Sequence, residues 1–161
     1  MSGGVVLFRE ERFSDLRDEG AALFAEHWRA ANSDPDIGLD QDWERYRAME
    51  DLGFLVTVTA RADGLLVGYA SYAVTTMLHA RTVMVADQVH YWLAPEHRRG
   101  SAGTRLIRVA EEAVRRRGAT MAYARTLPNA TAGRWSKPLD GLFALLGYRQ
   151  AERCLVRRLA A

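Results

Sequence analysis

The sequence has few of the residues that cross-link a chain or anchor it. It contains a single cysteine, Cys154, which excludes an internal disulfide, and its apolar neighbours predict a buried strand position. No run of about 18 apolar residues occurs, which argues against a membrane-spanning helix. Residues 1–4 lead into a strand-like segment rather than a signal peptide. We therefore expect a cytoplasmic protein with no membrane partner.

Charge and histidine spacing narrow the possible functions further. The formal net charge is only +2, and Lys137 is the sole lysine among 22 basic residues. The small charge gives no reason to favour a nucleic-acid partner, whereas arginine is well suited to phosphate. His27, His79 and His97 have no carboxylate or cysteine at metal-ligand spacing, so we predict no metal site. The length of 161 residues, 48% of them hydrophobic, predicts one domain over 1–161.

The first half of the chain predicts a strand, two helices and three more strands. Val5–Phe8 is short and β-branched, as in an opening strand. Ser14 is placed to cap an amphipathic helix over residues 16–28, and residues 43–53 predict a second, short helix. The pair Asp63-Gly64 carries the strongest hairpin-turn signal. The three strands joined by such turns are predicted at residues 54–60, 65–76 and 82–93.

The second half predicts a helix, a strand, a helix and one or two closing strands. A long amphipathic helix follows Pro95 and ends at Gly118, with i,i+4 pairs from Glu111 to Arg115 and from Glu112 to Arg116. The later elements are predicted at residues 121–126, 139–146 and 148–159. A strand, helix and strand in this order imply a parallel crossover. The fold class is therefore α/β (α+β), one mixed sheet covered by about four helices.

The most informative segment is the turn between the strand ending at Leu93 and the long helix. Small residues and arginines occupy this turn, and free N–H groups at a helix N-terminus favour a diphosphate. Neither of the glycine-rich nucleotide motifs GxGxxG and GxxxxGK[ST] is present, so we discount nucleotide dehydrogenases and kinases. A solvated turn is the alternative interpretation of Arg98-Arg99-Gly100 taken alone.

These residues and the element order resemble the GNAT superfamily of N-acetyltransferases. Leu93-Ala94-Pro95-Glu96 matches the end of the family's cofactor strand, while Arg98 and Gly103 match its diphosphate loop. Ser101 stands where the family pattern has its first glycine, and Gly100 lies one residue earlier. Leu145-Leu146-Gly147-Tyr148 matches the closing motif. The loop sequence most resembles those of small family members encoded by bacteriophages and prophages. This resemblance implies that the protein acts in a bacterium or an infected host cell.

The resemblance implies a mostly antiparallel, twisted sheet whose splayed central strands hold acetyl-CoA. Pantetheine amides would pair with the backbone of Tyr91, Trp92 and Leu93. The diphosphate would meet residues of the following loop, namely Arg98, Arg99, Gly100, Ser101, Ala102, Gly103 and Thr104.

Two residues are candidates for the catalytic groups. Asp87 lies eleven residues before Arg98, the spacing at which the histone-acetyltransferase branch of the family keeps a glutamate base. His90 is the second candidate, because an imidazole takes up protons near neutral pH. The alternatives are a strand-end carboxylate satisfied by backbone N–H groups and a structural histidine. The family's tyrosine acid corresponds to Phe143, which has no proton to donate, so Tyr148, Tyr123 or water would have to replace it.

Three aromatic residues of the early helices, Trp28, Trp43 and Tyr46, are candidates for the acceptor pocket, with core packing as the alternative. The function we expect is transfer of acetyl from acetyl-CoA to a primary amine of a small molecule or a protein. A DNA-base-modifying relative, as in one phage branch, and a non-catalytic binding module are the alternatives. Closing strands rich in arginine and apolar residues are compatible with a homodimer.

Overall fold

The computed structural model describes residues 5–32, 34, 36–126, 136–152, 155, 157 and 159. They form five strands and four α-helices, with 3-10 turns at Phe13–Leu16 and Pro95–His97. The strands are β1 (Val6–Glu10), β2 (Leu55–Ala62), β3 (Leu65–Met77), β4 (Ala80–Leu93) and β5 (Met121–Tyr123). The helices are α1 (Ala21–Ala31), α2 (Trp43–Asp51), α3 (Ala102–Arg116) and α4 (Ser136–Leu145).

The strands form one sheet in the order β1-β2-β3-β4-β5. The first three pairs are antiparallel, and β4 pairs with β5 in parallel. A parallel pair requires a crossover connection, which α3 supplies here. The predicted mixed, mostly antiparallel sheet is confirmed. The parallel crossover in the structure is β4–α3–β5, whereas the predicted one ran from the strand at 121–126 through the helix at 139–146 to residues 148–159, of which the described ones form no strand.

The turn between β2 and β3 follows from two residues with positive φ. Asp63 has φ 49° and Gly64 has φ 84°. Both values suit the two-residue turns that match the twist of hairpin strands. The predicted Asp63-Gly64 hairpin is confirmed.

Strand β4 continues beyond its neighbour β5. The β4–β5 pairing covers Val85–Asp87 on β4 and ends where Asp87 meets Tyr123. Among the described residues no strand pairs with 88–93 on that edge, and we call this stretch the open edge of β4.

A bulge in β4 sets which side chains share a face. On β3, Ser71 pairs with His90 whereas Tyr72 pairs with Gln88, which leaves Val89 as the extra residue. Asp87, which pairs with Ala73, therefore lies on the same face as His90, because Ser71 and Ala73 are two residues apart. In a regular strand Asp87 and His90 would point to opposite faces.

The two faces of the sheet carry separate cores. On one face α3 packs its buried stripe of Leu106, Ala110, Ala113 and Val114 against apolar residues of β2, β3 and β4. The other face is covered by α1 and α2 and is aromatic, with Phe13, Phe24 and Tyr69 buried and Trp43 and Tyr46 packed against them. No helix among the described residues is long and apolar enough to cross a membrane.

The predicted start of the first helix is wrong. Ser14 does not cap a helix, because its hydroxyl and its N–H both donate to the Glu50 carboxylate on α2. The N–H of Phe13 donates to the same carboxylate, so a 3-10 turn forms and α1 begins only at Ala21. Ser14 and Glu50 are 36 residues apart in the sequence, so helical periodicity near Ser14 could not predict their contact.

Three other predictions differ from the structure. The strand predicted at 121–126 is shorter, since β5 ends at Tyr123. Arg115 pairs with Glu112 rather than with Glu111, which instead accepts a hydrogen bond from Tyr148. Of the predicted closing strands, residues 148–152, 155, 157 and 159 are described and none is in a strand; Cys154 lies outside the described residues.

Candidate functional site

The loop between β4 and α3 presents a helix N-terminus. Gly100 has φ 85°, which favours glycine, and Ser101 precedes α3 without a side-chain hydrogen bond to cap it. The Arg105 N–H donates to the Ser101 carbonyl at 2.9 Å. The N–H groups of Ala102–Thr104 lie before that bond and have no acceptor within the helix. These N–H groups and the positive end of the helix dipole favour an anion at this position. Gly100, one residue before Ser101, makes the turn into the helix.

Arg98 holds the loop in shape. Its Nε donates to the Leu93 carbonyl at 2.7 Å, and its guanidinium lies 4.4 Å from the centre of the Trp92 ring. Arg99, the next residue, is exposed. The structure therefore brings the predicted loop residues together and gives Arg98 a structural contact in addition to its charge.

Gly103 is explained by a close approach. A Cβ at this position would lie 2.9 Å from the hydroxyl of Tyr91, and no larger residue fits unless that ring moves. Burial raises the pKa of Tyr91 to about 12, so its hydroxyl stays protonated. Tyr91 and Gly103, twelve positions apart, thus meet where β4 faces the start of α3.

Unsatisfied polar atoms are concentrated on the open part of β4. Gln88 Oε1, His90 Nδ1 and Trp92 Nε1 are buried and have no hydrogen-bond partner among the described residues. Buried polar atoms are ordinarily paired, and exceptions mark a missing partner or a functional group. These three residues lie on the open edge of β4, beside which the described part of the chain places no strand.

Asp87 lies where β4 and β5 part. Its side chain is 39% exposed, and its Oδ1 is 3.4 Å from the Arg125 guanidinium. Tyr123 is its register partner on β5. A half-exposed carboxylate at the start of the open edge can accept a proton from a group bound there.

His90 is buried among aromatic rings on the same face. Its ring stacks on Phe13 at 4.9 Å, and its Nε2 lies 3.2 Å from the Tyr46 hydroxyl. Burial, and secondarily the neighbouring His27, lowers the pKa of His90 to about 3, well below the neutral range expected from the sequence. The imidazole is therefore neutral and a weak base at physiological pH.

The three aromatic candidates for an acceptor pocket separate into two groups. Trp43 stacks on Phe13 at 5.7 Å and Tyr46 contacts His90, so both belong to the aromatic layer. Trp28 instead donates from Nε1 to the Ile37 carbonyl at 3.0 Å, in the loop that follows α1. Core packing, the alternative interpretation, therefore accounts for most contacts of Trp43.

Sequence reasoning missed His27 and Tyr69 as members of this layer. His27 Nδ1 lies 2.6 Å from the Tyr69 hydroxyl, and the His27 ring stacks on Trp92 at 4.9 Å. Burial, and secondarily the charge of Arg98, lowers the pKa of His27 to about 4. The available signal was helical spacing, because His27 follows the core residue Phe24 by three positions.

The α4 helix packs beside Tyr91 on the other face. Phe143 is buried, with its ring 6.1 Å from that of Tyr91 and 4.9 Å from that of Tyr148. The Tyr148 hydroxyl donates to Glu111 at 2.7 Å, and burial together with Tyr72 and Glu111 raises the pKa of Tyr148. In the described part of the chain no group of three or more acidic, histidine or cysteine side chains could hold a metal ion.

Comparisons with known proteins agree with this architecture. The model of the acetyltransferase (GNAT) family matches residues 17–135. A search of curated proteins gives no match. An aminoglycoside acetyltransferase from an uncultured soil metagenomic sample has a TM-score of 0.75 at 17% identity, covering 97% of this chain and 99% of that one.

Two further solved structures are similar over their whole length. A ribosomal-protein-alanine N-acetyltransferase from Brucella melitensis biovar Abortus 2308 has a TM-score of 0.74 at 17% identity, covering 98% of this chain and 99% of that one. AAC(6')-Iy, in complex with the bisubstrate analogue CoA-S-monomethyl-acetylneamine, has a TM-score of 0.72 at 16% identity, covering 98% and 100%. At these identities the likeness shows the fold.

Proposed function

The chain belongs to the acetyltransferase (GNAT) family, and from this premise we propose that it transfers acetyl from acetyl-CoA to a primary amine of a small molecule or a protein. The observation that carries the proposal is the junction of β4 and α3. There an open strand edge leads directly into an uncapped helix N-terminus. A ligand with amide groups followed by a diphosphate matches both features in that order.

The residues present fit acetyl-CoA. The N–H groups of Ala102–Thr104 would bind the diphosphate, with Arg98 and Arg99 supplying positive charge. The open edge at Tyr91–Leu93 would pair with the pantetheine amides, as an added strand does. Bound in this way, acetyl-CoA would supply the thioester that the amine attacks. The unpaired atoms of Gln88, His90 and Trp92 lie along the same stretch and offer it polar contacts.

Asp87 is the proposed general base. It lies at the start of the open edge and is the more exposed of the two candidate groups. The carboxylate accepts a proton from the attacking amine, directly or through a water, as the carbon–nitrogen bond forms and the carbon–sulfur bond breaks. The thiolate of CoA leaves, and backbone N–H groups of β4 stabilise the charge on the carbonyl oxygen.

His90 is proposed to orient groups rather than to take up the proton. Its low pKa makes it a poor base, whereas its neutral ring keeps Nε2 at Tyr46 and leaves Nδ1 without a hydrogen-bond partner among the described residues. A neutral imidazole can hold a water or an amine by that free nitrogen. His90 and Asp87 share one sheet face because of the bulge at Val89.

The acceptor is proposed only as an amine. The solved structures named above include an aminoglycoside acetyltransferase and a ribosomal-protein-alanine N-acetyltransferase. Both small molecules and proteins are therefore acceptors for proteins of this fold. The face covered by α1 and α2, which carries Asp87 and His90, is the proposed acceptor side. A single domain over 1–161, a cytoplasmic location and membership of a phage-like subgroup are part of the same proposal.

Calorimetry with acetyl-CoA and thiol release with a panel of amines test the proposal. We expect Asp87→Asn to bind acetyl-CoA like the wild type and to lose about 100-fold or more in turnover, the usual contribution of a general base. Arg98→Ala should weaken binding, whereas Arg99→Ala, at the exposed neighbour, should weaken it less. Absence of acetyl-CoA binding to the wild type would refute the proposal, and binding without turnover of any amine would favour the non-catalytic module.

A further inference from the structure

Three flat groups from three parts of the fold form one stack. The Arg98 guanidinium of the cofactor loop lies 4.4 Å from the centre of the Trp92 ring on β4. On α1, the His27 ring lies 4.9 Å from the Trp92 ring with an angle of 16° between the planes. His27 is fixed in turn by its 2.6 Å contact with the Tyr69 hydroxyl. The loop and the helix on the proposed acceptor side are therefore joined through one indole.

Packing and ring contacts hold the indole, with no side-chain hydrogen bond to a described residue. Trp92 Nε1 is buried without a hydrogen-bond partner among the described residues, so no directional bond fixes the ring within the sheet. A change on the Arg98 side can therefore displace Trp92 without breaking a hydrogen bond. The charge of Arg98 already reaches α1, since it contributes to the lowered pKa of His27.

We infer that Trp92 and His27 couple occupancy of the diphosphate loop to the position of helix α1. The inference rests on the proposed function, because it requires acetyl-CoA at the loop. A diphosphate attracts the Arg98 guanidinium and competes with its contact to the indole face. The ring and the His27 that stacks on it then adjust, and α1 moves or becomes more rigid. His27 is a positioning residue in this scheme.

The consequence is cooperative binding of the two substrates. If acetyl-CoA orders α1, an amine that binds against α1 binds better to the loaded protein, and linkage requires the reverse effect to be equal.

Hydrogen exchange with and without CoA tests the inference in the full chain. In the wild type we expect CoA to slow exchange both at residues 98–105 and in α1, the latter by about fivefold or more, the lower end of ordinary couplings between sites. His27→Leu removes the ring and the contact with Tyr69, and should keep the loop response while losing the α1 response. His27→Phe retains a flat ring against Trp92 and should keep both responses.

The outcomes separate this inference from the proposed function. If CoA protects neither segment, the proposed function fails. If it protects the loop but leaves α1 unchanged in the wild type, the coupling is absent and only the inference fails. An α1 response that survives in His27→Leu would also overturn it. Should that variant not fold, Trp92→Leu breaks the same stack, and loss of the α1 response is again the result expected.

Discussion

The hydroxyl of Tyr46 lies 3.2 Å from Nε2 of His90, and this contact joins α2 to the strand that carries Asp87. A second pair, His27 and Tyr69, joins α1 to β3 in the same manner. Each helix on the proposed acceptor side is thus bound to a central strand by one histidine–tyrosine contact within an aromatic layer. Because both imidazoles are neutral and buried, the attachment depends on pH.

Acidification should destabilise the protein through these histidines. Burial lowers the folded-state pKa of His27 to about 4 and of His90 to about 3, whereas an unfolded histidine has a pKa of about 6.5. Between these values the unfolded chain binds more protons. Stability is therefore complete above pH 6.5 and falls as the pH decreases, by up to about 1.4 kcal/mol per pH unit for each histidine. Urea denaturation from pH 7 to pH 4 measures the slope.

Single substitutions separate the contribution of His90 from the other effects of low pH on stability. His90→Phe keeps an aromatic ring in the layer. It should reduce the slope of the unfolding free energy against pH by the amount that corresponds to about one proton. His79→Gln, at an exposed histidine in the turn between β3 and β4, should leave the slope as it is in the wild type. Equal slopes in His90→Phe and the wild type would contradict the assignment.

The contact of Gly103 with Tyr91 predicts a compensating pair of substitutions. Gly103→Ala places a methyl group 2.9 Å from the Tyr91 hydroxyl, which must then shift. Overpacking of this kind costs about 1–3 kcal/mol, so acetyl-CoA binding at the loop should weaken about fivefold or more. Tyr91→Phe removes the obstructing oxygen and should restore affinity in the double variant. Calorimetry on the two single variants and the double variant measures the coupling.

Gly141 on α4 provides the control for the Gly103→Ala substitution. An added Cβ there meets nothing within 4 Å. Gly141→Ala should therefore bind acetyl-CoA normally and gain up to about 1 kcal/mol in stability, as expected from helix propensity. Additive losses in the Gly103→Ala, Tyr91→Phe double variant would show that the two residues act separately.

The Glu50 carboxylate should contribute more to stability than its exposed neighbour. It accepts hydrogen bonds from the N–H groups of Phe13 and Ser14 and from the Ser14 hydroxyl, and its side chain is 5% exposed. Glu50→Gln removes the charge and one acceptor oxygen, which should cost about 1–3 kcal/mol. Asp51→Asn breaks only the exposed contact with Arg12 and should cost less than about 1 kcal/mol. Urea denaturation compares the two variants.

Local sequence signals predicted the parts of this fold that depend on neighbouring residues. The Asp63-Gly64 turn and the α3 stripe were identifiable because turn geometry and helical periodicity depend on residues only a few positions apart. The late start of α1 was not, since it depends on Glu50 contacting a turn far away in the chain.

The site divides in the same way. The turn between β4 and α3, which is the proposed cofactor loop, was predicted from arginines and small residues that lie in one segment. The bulge at Val89 has no local signal, so nothing in the sequence showed that Asp87 and His90 share a face. The stack of Arg98, Trp92 and His27 joins three segments and became visible only in three dimensions.

The ion cluster around Arg61 yields the last prediction. Its guanidinium is 9% exposed and donates to Glu11 at 2.7 Å and to Glu19 at 2.5 Å, which ties β2 to the segments before α1. Burial alone would raise the pKa of Glu11, but hydrogen bonds from Arg61, Arg9 and Thr59 outweigh it and lower the pKa to about 2. The stabilisation by this cluster is therefore complete above the pKa of glutamate in the unfolded chain, about 4.3, and is lost as the pH falls toward 2.

Arg61→Met should destabilise the protein strongly at neutral pH, because two carboxylates are then left facing each other. Removing one partner of a buried ion pair typically costs about 3–5 kcal/mol. The difference from the wild type should shrink as the pH falls from 5 toward 2, since Glu11 and Glu19 become neutral. Arg9→Met, at an arginine that is 60% exposed, should change stability by less than about 1 kcal/mol at any pH. Thermal denaturation of the three proteins across this range decides whether Arg61 holds the cluster together, since a loss for Arg61→Met that does not vary with pH would trace to packing instead.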